Sequence, residues 1–336
     1  MFLSKHKNGN YYVYYINING KRNKVSTKTK YKSAALKFLS KFENRLQSSL
    51  TYGIKLITLD KFFWEFLKYS ESIHTSKTTK GFKSSLRRIL KYFGDIQLVD
   101  LTKQSIEVYL QHRAINQSLY SARTDYINLS STLTKAVEDG YLKENPMKKI
   151  RPIKIPQKLP VYFSDNELKI LLEAVDNKDL RELVIFAANT GLRQMELITL
   201  CWNQIDFNNK IIILDNHTHI TKSKKIRSVP LNNTAMDIIF MRNIKAESCF
   251  IFTYNGAPIK QDFISHKFKK YVRKANLNDS LNFHSLRHSF ASWLVQKGVS
   301  IYQISKLLGH SDIKTTQIYA HLRAEDLRKT VMLLDN

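Results

Sequence analysis

Apolar residues recur at helical spacing through the segment from residue 57 to residue 145. The stripes comprise Leu59, Phe62, Phe63, Phe66 and Leu67, then Phe82, Leu86, Ile89, Leu90 and Phe93, and then Tyr126, Leu129, Leu133 and Ala136. Positions three or four apart lie on one face of a helix, so each stripe predicts an amphipathic helix. Gly94 and Gly140 follow the second and third stripes and provide helix stops. The segment is therefore predicted to be an all-α bundle.

Residues 1–50 follow a different pattern. Tyr11–Ile16 is an aromatic and β-branched run that predicts a strand, and Asn19-Gly20 is a strong signal for a two-residue turn. The chain can return as a second strand over Lys21–Val25. A helix is predicted from about Ser33, and its apolar face comprises Ala35, Leu39, Phe42 and Leu46. We therefore expect a small module made of a β-hairpin and a helix.

Prolines mark the main boundary in the chain. Four of the six prolines fall between residues 146 and 160, interleaved with Lys and Arg; they are Pro146, Pro152, Pro156 and Pro160. Proline removes backbone donors and favours extended structure. Residues 146–160 are therefore predicted to be a stiff, basic linker rather than a helix or a central strand.

The second half predicts a mixed α/β domain, mainly α, over residues 161–325. Ser164 and Glu167 have the spacing of a capping box, and the helical run Leu183–Ala188 ends at Thr190-Gly191. Strands are predicted at Ile211–Leu214 and Ile226–Leu231, and further helices at Thr234–Ile244, Asp262–Lys274, Ser285–Lys297 and Ile301–Leu308. A tail, residues 326–336, carries a short apolar stripe of Leu327, Val331 and Leu334.

The charge of the chain points to a polyanionic partner. The 54 Lys and Arg outnumber the 28 Asp and Glu and leave a net charge of +26. An excess of this size is typical of proteins that bind nucleic acid. Residues 1–50 hold eleven of these basic residues against one acid, Glu43, which makes this module a second candidate for DNA contact beside the helical bundle. The candidate DNA-binding residues are Lys21, Arg22, Lys24, Lys83, Arg87 and Arg88.

The sequence disfavours several other classes of protein. Cys201 and Cys249 are too few for a disulfide framework, so a reducing interior is expected. No run of about 18 apolar residues is present, so neither a membrane span nor a signal peptide is predicted. We therefore expect a cytoplasmic protein.

Two arginines occupy motifs suited to holding a phosphodiester. Arg193 lies in the run Thr190–Leu197 and Arg287 ends the run His284-Ser285-Leu286-Arg287. A guanidinium stays protonated and can bind two phosphate oxygens, which lowers the cost of bringing a nucleophile to an anion. On a helix, the i, i+3 spacing places His284 and Arg287 on one face.

Tyr319 is the candidate nucleophile. Its unperturbed pKa is near 10, so cations or a base must assist loss of its proton. His284 and His310 titrate near neutral pH and are suited to that role. Lys222, in a basic connection between the two predicted strands, could protonate the departing 5′ oxygen.

These residues, taken in order, resemble the active site of the tyrosine recombinases, the phage integrase family. The matching motifs are Thr190-Gly191-Leu192-Arg193 with Glu196-Leu197, Arg227-Ser228-Val229-Pro230-Leu231 after Lys222, His284-Ser285-Leu286-Arg287, Leu308-Gly309-His310-Ser311, and Tyr319 nine residues after His310. Glu196 falls on the supporting acidic position of the family. Thr221 and Ser223 replace the glycines usual around the lysine. Each motif alone is more often structural, but the ordered series is specific.

The resemblance implies a small N-terminal module, a helical core-binding domain and a tyrosine recombinase catalytic domain, arranged as a clamp around double-stranded DNA. It implies cleavage through a 3′-phosphotyrosyl bond with no metal or other cofactor, by a homotetramer on two DNA sites, with accessory directionality or DNA-bending proteins as further partners. The basic N-terminal module favours integration and excision of a mobile element over an Xer-like resolvase. A type IB topoisomerase-like enzyme, a non-catalytic DNA-binding protein, and a zinc site at His284 and His288 remain alternatives.

Overall fold

The computed structural model describes residues 1–16, 22–156, 159–214, 226–244 and 248–322, together with Val331 and Leu334. The chain divides into two compact units, Met1–Gln157 and Lys158–Asn336. The predicted turn at Asn19-Gly20, the basic connection around Lys222, and Leu327 of the tail lie outside the described residues. Within the described ranges, every helix is too short or too polar to cross a bilayer.

The first unit begins with a three-stranded antiparallel sheet and a long helix. The strands are β1 (Phe2–Lys5), β2 (Tyr11–Ile16) and β3 (Arg22–Ser26), in the order β1-β2-β3, and the helix is α1 (Lys32–Tyr52). Val13, Ala35 and Phe42 are buried, and the ring of Tyr15 lies 4.8 Å from that of Phe42. The predicted strand and helix are confirmed. Strand β1 was not predicted, because its sequence Phe-Leu-Ser-Lys is short and half polar.

Four α-helices follow α1 in the described residues of this unit. They are α2 (Leu59–Ile73), α3 (Ser76–Phe93), α4 (Lys103–Asn116) and α5 (Leu119–Glu138). The three predicted stripes supply most of the buried core. Inside this core Asp125 is fully buried, and its carboxylate accepts hydrogen bonds from Tyr109 at 2.8 Å, Arg113 at 2.9 Å and Arg88 at 2.6 Å.

The extended structure predicted from residue 146 is wrong for its first turn. Pro146–Lys149 forms a 3₁₀ turn, and the Asn145 side chain accepts a hydrogen bond from the Met147 N–H at 2.9 Å. Proline is favoured at the first position of a helix, where no backbone donor is needed. Met147 and Ile150 are buried against the helical core, so this part of the segment belongs to the first unit.

The second unit is mainly helical with a small sheet. Its helices are α6 (Asp165–Ala174), α7 (Lys178–Thr190), α8 (Gln194–Ile198), α9 (Asn233–Asn243), α10 (Gln261–Lys274), α11 (Phe283–Gln296), α12 (Ile301–Leu308) and α13 (Lys314–Gln317). Strands β4 (Ile205–Asp206), β5 (Ile211–Leu214) and β6 (Arg227–Pro230) form an antiparallel sheet, and β7 (Thr253–Tyr254) pairs with β8 (Ala257–Pro258). The capping box of Ser164 and Glu167 is present at the start of α6, as predicted.

Two apolar clusters hold the second unit together. The larger one includes Phe186 of α7, Phe252 and Phe268 of α10. The smaller one contains Ala291 and Val295 of α11, Ile304 and Leu308 of α12, and Tyr319. The ends of α7 and α12 meet α11 at the buried Arg287, beside this smaller cluster, and the candidate chemistry lies there.

Candidate active site

The turn between α7 and α8 positions Arg193. Helix α7 ends at Gly191, which adopts the left-handed conformation with φ of 62°. A Cβ atom there would come within 2.5 Å of the Phe290 ring, so glycine is required both by conformation and by space. The Arg193 backbone N–H then donates to Glu196 Oε2 at 2.9 Å, which fixes the start of α8.

Glu196 is buried and holds two arginines. It accepts from Arg193 Nη1 at 2.9 Å, and from Arg227 through two bonds of 3.0 and 2.7 Å. Burial alone would raise the pKa of Glu196, but the hydrogen bonds from Arg227 and the charges of Arg227 and Arg193 outweigh it, so the pKa is lowered. Glu196 therefore stays ionised and fixes both guanidinium groups.

Arg287 lies at the centre of the site. Its side chain is buried, and it donates to the carbonyl oxygens of Gly191 and Leu308, each at 2.7 Å. Burial, followed by the charge of Arg193, lowers its pKa to about 9, so it remains a cation at neutral pH. These two bonds tie α11 to the ends of α7 and α12.

His310 follows the end of α12. Gly309 is left-handed, with φ of 65°, and its carbonyl accepts from Arg193 Nη2 at 3.2 Å. His310 Nδ1 lies 2.8 Å from Thr316 Oγ1. Burial, then the charges of Arg287 and Arg193, lower the pKa of His310 to about 4. His310 is therefore neutral at pH 7.

Tyr319 is buried at the end of the segment that follows α13, with 2% of its surface exposed. Its hydroxyl lies 2.5 Å from Nδ1 of His288. Burial raises the pKa of Tyr319 to about 12, against a smaller opposing effect of Arg287. The ring of His284, which is exposed, packs edge-on to His288 with centroids 4.8 Å apart. Partial desolvation and the charges of Arg287 and Arg193 lower the pKa of His284.

The structure thus places the predicted site residues of the second unit close together, apart from Lys222, which lies outside the described residues. Arg193, Arg287 and His310 are joined through the backbone at Gly191, Leu308 and Gly309. The hydroxyl of Tyr319 contacts His288, which follows Arg287 on α11.

Sequence reasoning missed two residues of this site. Arg227 was used only as the first residue of the motif that follows Lys222, and His288 was considered only as a zinc ligand. His288 directly follows the His-x-x-Arg run that ends at Arg287, and this position in the sequence could have pointed to it. Among the described residues no group of three or more His, Cys, Asp or Glu is placed to hold a metal ion, and His288 Nδ1 contacts Tyr319 instead.

The candidate DNA-binding residues divide by exposure. Arg22, Lys24, Lys83 and Arg87 are exposed, and Lys21 lies outside the described residues. Arg88 is half-buried, and its guanidinium binds Asp125, Ser84 and Ser85. Arg88 therefore has a structural role in the bundle, and phosphate contact by any of the six remains a prediction.

Comparison with known proteins agrees with this geometry. Residues 162–326 match the Phage integrase family, and residues 58–152 match the Phage integrase SAM-like domain. The chain belongs to the tyrosine recombinase family of DNA cleaving and rejoining enzymes.

Relatives and solved structures of this family cover most of the chain. A tyrosine recombinase of Thermosipho africanus (strain TCF52B) is 26% identical over 80% of this chain and 97% of its own length. XerC of Listeria innocua is 28% identical over 82% of this chain and 96% of its own length. A lambda integrase dimer bound to a COC' core site has a similar fold, with a TM-score of 0.70, 18% identity, and coverage of 96% of this chain and 95% of its own.

Proposed function

We propose that the chain is a site-specific DNA recombinase in which Tyr319 attacks a backbone phosphate. The attack would leave the protein joined to the 3′ end and free a 5′ hydroxyl, whose return attack rejoins the strand. The observation that supports this most is the meeting of Arg193, Arg287, His310 and Tyr319 around the ends of α7 and α12.

The charges of the site suit a phosphate. Arg193 and Arg227 both pair with the single carboxylate of Glu196. Two positive charges against one negative charge leave a positive excess at this point. Arg193 is partly exposed and Arg287 has donors beyond the two that bind backbone carbonyls. In the proposed reaction both contact the non-bridging oxygens, and each such donor contributes about 10² to 10³ in rate.

The histidines and the lysine would complete the reaction. His284 and His310 have lowered pKa values, so each is neutral at pH 7 and serves as a hydrogen-bond partner of the phosphate rather than as a cation. Lys222 protonates the departing 5′ oxygen in this proposal. In this proposal no cofactor supplies energy, because the phosphotyrosyl bond keeps the energy needed for rejoining. No metal ion takes part, because the arginines neutralise the charge of the phosphate.

Integration and excision of a mobile element is the reaction that we propose. The Thermosipho africanus relative matches over nearly its whole length yet leaves a fifth of this chain unmatched, whereas the lambda integrase fold extends over 96% of it. The basic sheet and helix of residues 1–50 fit a second, arm-type DNA contact, beside the core-type contact of residues 57–145. Four protomers on two DNA sites would act together in the cytoplasm, with directionality or DNA-bending proteins as accessory partners.

Resolution of chromosome or plasmid dimers is the second candidate. It is supported by the relatives named XerC, of which the Listeria innocua protein is 28% identical. The two functions differ in substrate: an element with two ends that leaves or enters DNA, or one site present twice in a dimer.

The test measures covalent adduct formation on a nicked suicide substrate that carries the DNA sequence flanking the gene. The protein is expected to form a covalent adduct with the 3′ end, in EDTA as in its absence, and Tyr319→Phe to form none. An adduct with Tyr319→Phe would exclude this nucleophile, and loss of cleavage in EDTA would indicate a metal nuclease. Plasmid assays for excision and for dimer resolution then separate the two functions, and relaxation of supercoiled DNA without a site would indicate a topoisomerase.

A further inference from the structure

Three histidines belong to the candidate site, and the Nδ1 atoms of two of them have different partners. Nδ1 of His288 is 2.5 Å from the Tyr319 hydroxyl, whereas Nδ1 of His310 is 2.8 Å from Thr316 Oγ1. The His284 ring packs against His288. We propose that His288 accepts the phenolic proton of Tyr319 during strand cleavage and returns it during rejoining. This inference rests on the proposed role of Tyr319 as the nucleophile.

The protonation states of the pair fit a transfer in this direction. Burial, then the neighbouring His284 and Arg287, lower the pKa of His288 to about 4, so its imidazole is neutral at pH 7. Burial raises the pKa of Tyr319 to about 12, so the phenol is protonated. A neutral imidazole has one acceptor nitrogen, which we assign to Nδ1, with the proton on Nε2. The phenol then donates to Nδ1 at a distance that suits general base catalysis.

The step balances without another reactant. The Tyr319 O–H bond breaks and its proton moves to Nδ1 as the phenolic oxygen bonds to phosphorus. The bond from phosphorus to the 5′ oxygen breaks, and that oxygen takes a proton from the general acid, for which Lys222 is proposed. On rejoining, the 5′ hydroxyl attacks phosphorus and returns its proton to the group that acted as general acid. The bond from phosphorus to the phenolic oxygen breaks, and that oxygen recovers its proton from His288.

A weak base can serve here because transfer is coupled to bond formation. The pKa of the phenolic oxygen falls steeply as it bonds to phosphorus, so a free phenolate need not form. Besides burial, His284 and the charge of Arg287 on the same helix lower the pKa of His288, and the charges of Arg287 and Arg193 lower that of His284. An anionic phosphate bound to these arginines offsets that charge and makes His288 more basic when substrate is present.

The test compares His288→Asn with His284→Asn in single-turnover adduct formation on the nicked substrate. The Asn side chain places a polar atom near the position of Nδ1 but cannot take up the proton. At pH 7 we expect His288→Asn to cleave about 10²-fold more slowly, with a rate that rises about tenfold from pH 7 to 8 because hydroxide must replace the base. This range lies below the pKa of Arg287, which is about 9. Wild type and His284→Asn are expected to lack this rise.

A second substrate distinguishes a residue that activates the nucleophile from one that protonates the leaving group. Sulfur in place of the 5′ bridging oxygen leaves without a proton, so it should restore a variant that lacks the general acid but not His288→Asn. In His288→Ala, added imidazole is expected to recover part of the rate. Unfolding midpoints and DNA affinities identify any variant that fails to fold, in which case His288→Ala with imidazole carries the test.

Three results would overturn the assignment. Unchanged or faster cleavage by His288→Asn would mean that the contact only holds Tyr319 in a resting position. A loss of rate that is independent of pH would indicate a purely structural role, and rescue by the sulfur substrate would place His288 on the leaving-group side. Any of these leaves the proposed function intact as long as Tyr319→Phe abolishes an adduct that wild type forms; absence of the wild-type adduct contradicts both proposals.

Discussion

Glu196 holds two arginines in place through one buried carboxylate. Replacement by Gln keeps the shape of the side chain and removes its charge, which leaves Arg227 largely buried without a charged partner. Breaking a buried ion pair in this way typically costs 3 to 5 kcal/mol, and we expect about 3 kcal/mol here, because Arg193 is partly exposed. Urea unfolding at pH 7 measures this cost.

The pH dependence of that cost has a definite sign. The pKa of Glu196 is lower in the folded protein than its ordinary value of 4.5. The carboxylate therefore stabilises the fold at pH values above about 4.5, and this contribution is lost as the pH falls through the folded pKa. The difference between wild type and Glu196→Gln should shrink below pH 4.5. The exposed pair of Glu144 and Lys149 gives a control in Glu144→Gln, for which little change is expected at any pH. A difference that stays constant from pH 7 to pH 3 would contradict the prediction.

Burial also changes the protonation of two histidines at the site, His288 and His310, from what the ordinary pKa of histidine suggests. His288 and His310 have pKa values of about 4, well below the model peptide range. The sequence offered His310, together with His284, as a group that titrates near neutral pH, whereas the packed site keeps His310 and His288 neutral at pH 7. Positive charge at the site therefore comes from arginines, which remain protonated at neutral pH.

At the scale of elements, the end of α12 connects two parts of the site. Gly309 is left-handed, and a Cβ atom there would come within 2.5 Å of Arg227 Cδ and 2.6 Å of its Nη1. Its carbonyl also accepts the bond from Arg193. Gly309→Ala must therefore displace Arg227, the backbone, or both.

Gly298, which follows α11, provides a matched control. Its φ is also positive, at 84°, but a Cβ atom there would meet nothing within 4 Å. We expect Gly298→Ala to cost about 1 kcal/mol for its backbone conformation alone and to retain cleavage. Gly309→Ala should cost more and reduce cleavage about 10²-fold, because displacement of a catalytic group by about 1 Å has effects of that size. Urea unfolding and adduct formation measure the two effects, and equal behaviour of the two variants would show that contact with Arg227 is unimportant.

The elements also show which parts of the structure the sequence could predict. Helices α3, α7 and α12 were predicted because their apolar periodicity and glycine stops are local signals. Strands β1 and β4 and the pair β7 and β8 have two to four residues each, too few for any periodicity, and they form only because a neighbour pairs with them. The 3₁₀ turn at Pro146–Lys149 depends on a side-chain cap and on burial of Met147, neither of which proline content reveals.

The same distinction applies to the candidate site. Arg193, Arg287, His310 and Tyr319 were predicted because they occur in ordered motifs. The contacts of Arg227 with Glu196 and of His288 with Tyr319 join residues 31 positions apart in each case, so only the folded chain brings them together.

At the scale of the whole molecule, the net charge of +26 predicts DNA binding that weakens steeply with salt. Each phosphate neutralised by Lys or Arg adds about 0.9 to the slope of log affinity against log salt. Arg22 and Lys24 lie two residues apart on β3, so their side chains share one face of the sheet, and both are exposed. If this face contacts DNA, Arg22→Gln with Lys24→Gln should reduce the slope by about 2.

A second double variant controls for the loss of charge itself. Lys178 and Lys274 are exposed and pair with Glu182 and Asp176, at the end of α7 opposite Gly191. Lys178→Gln with Lys274→Gln removes the same two charges, but we expect the slope to stay nearly unchanged because these side chains already have acidic partners. Affinity for a DNA duplex measured at several salt concentrations gives both slopes. Equal reductions of the slope in the two variants would mean that DNA affinity depends on net charge alone. The N-terminal sheet would then have no specific part in binding.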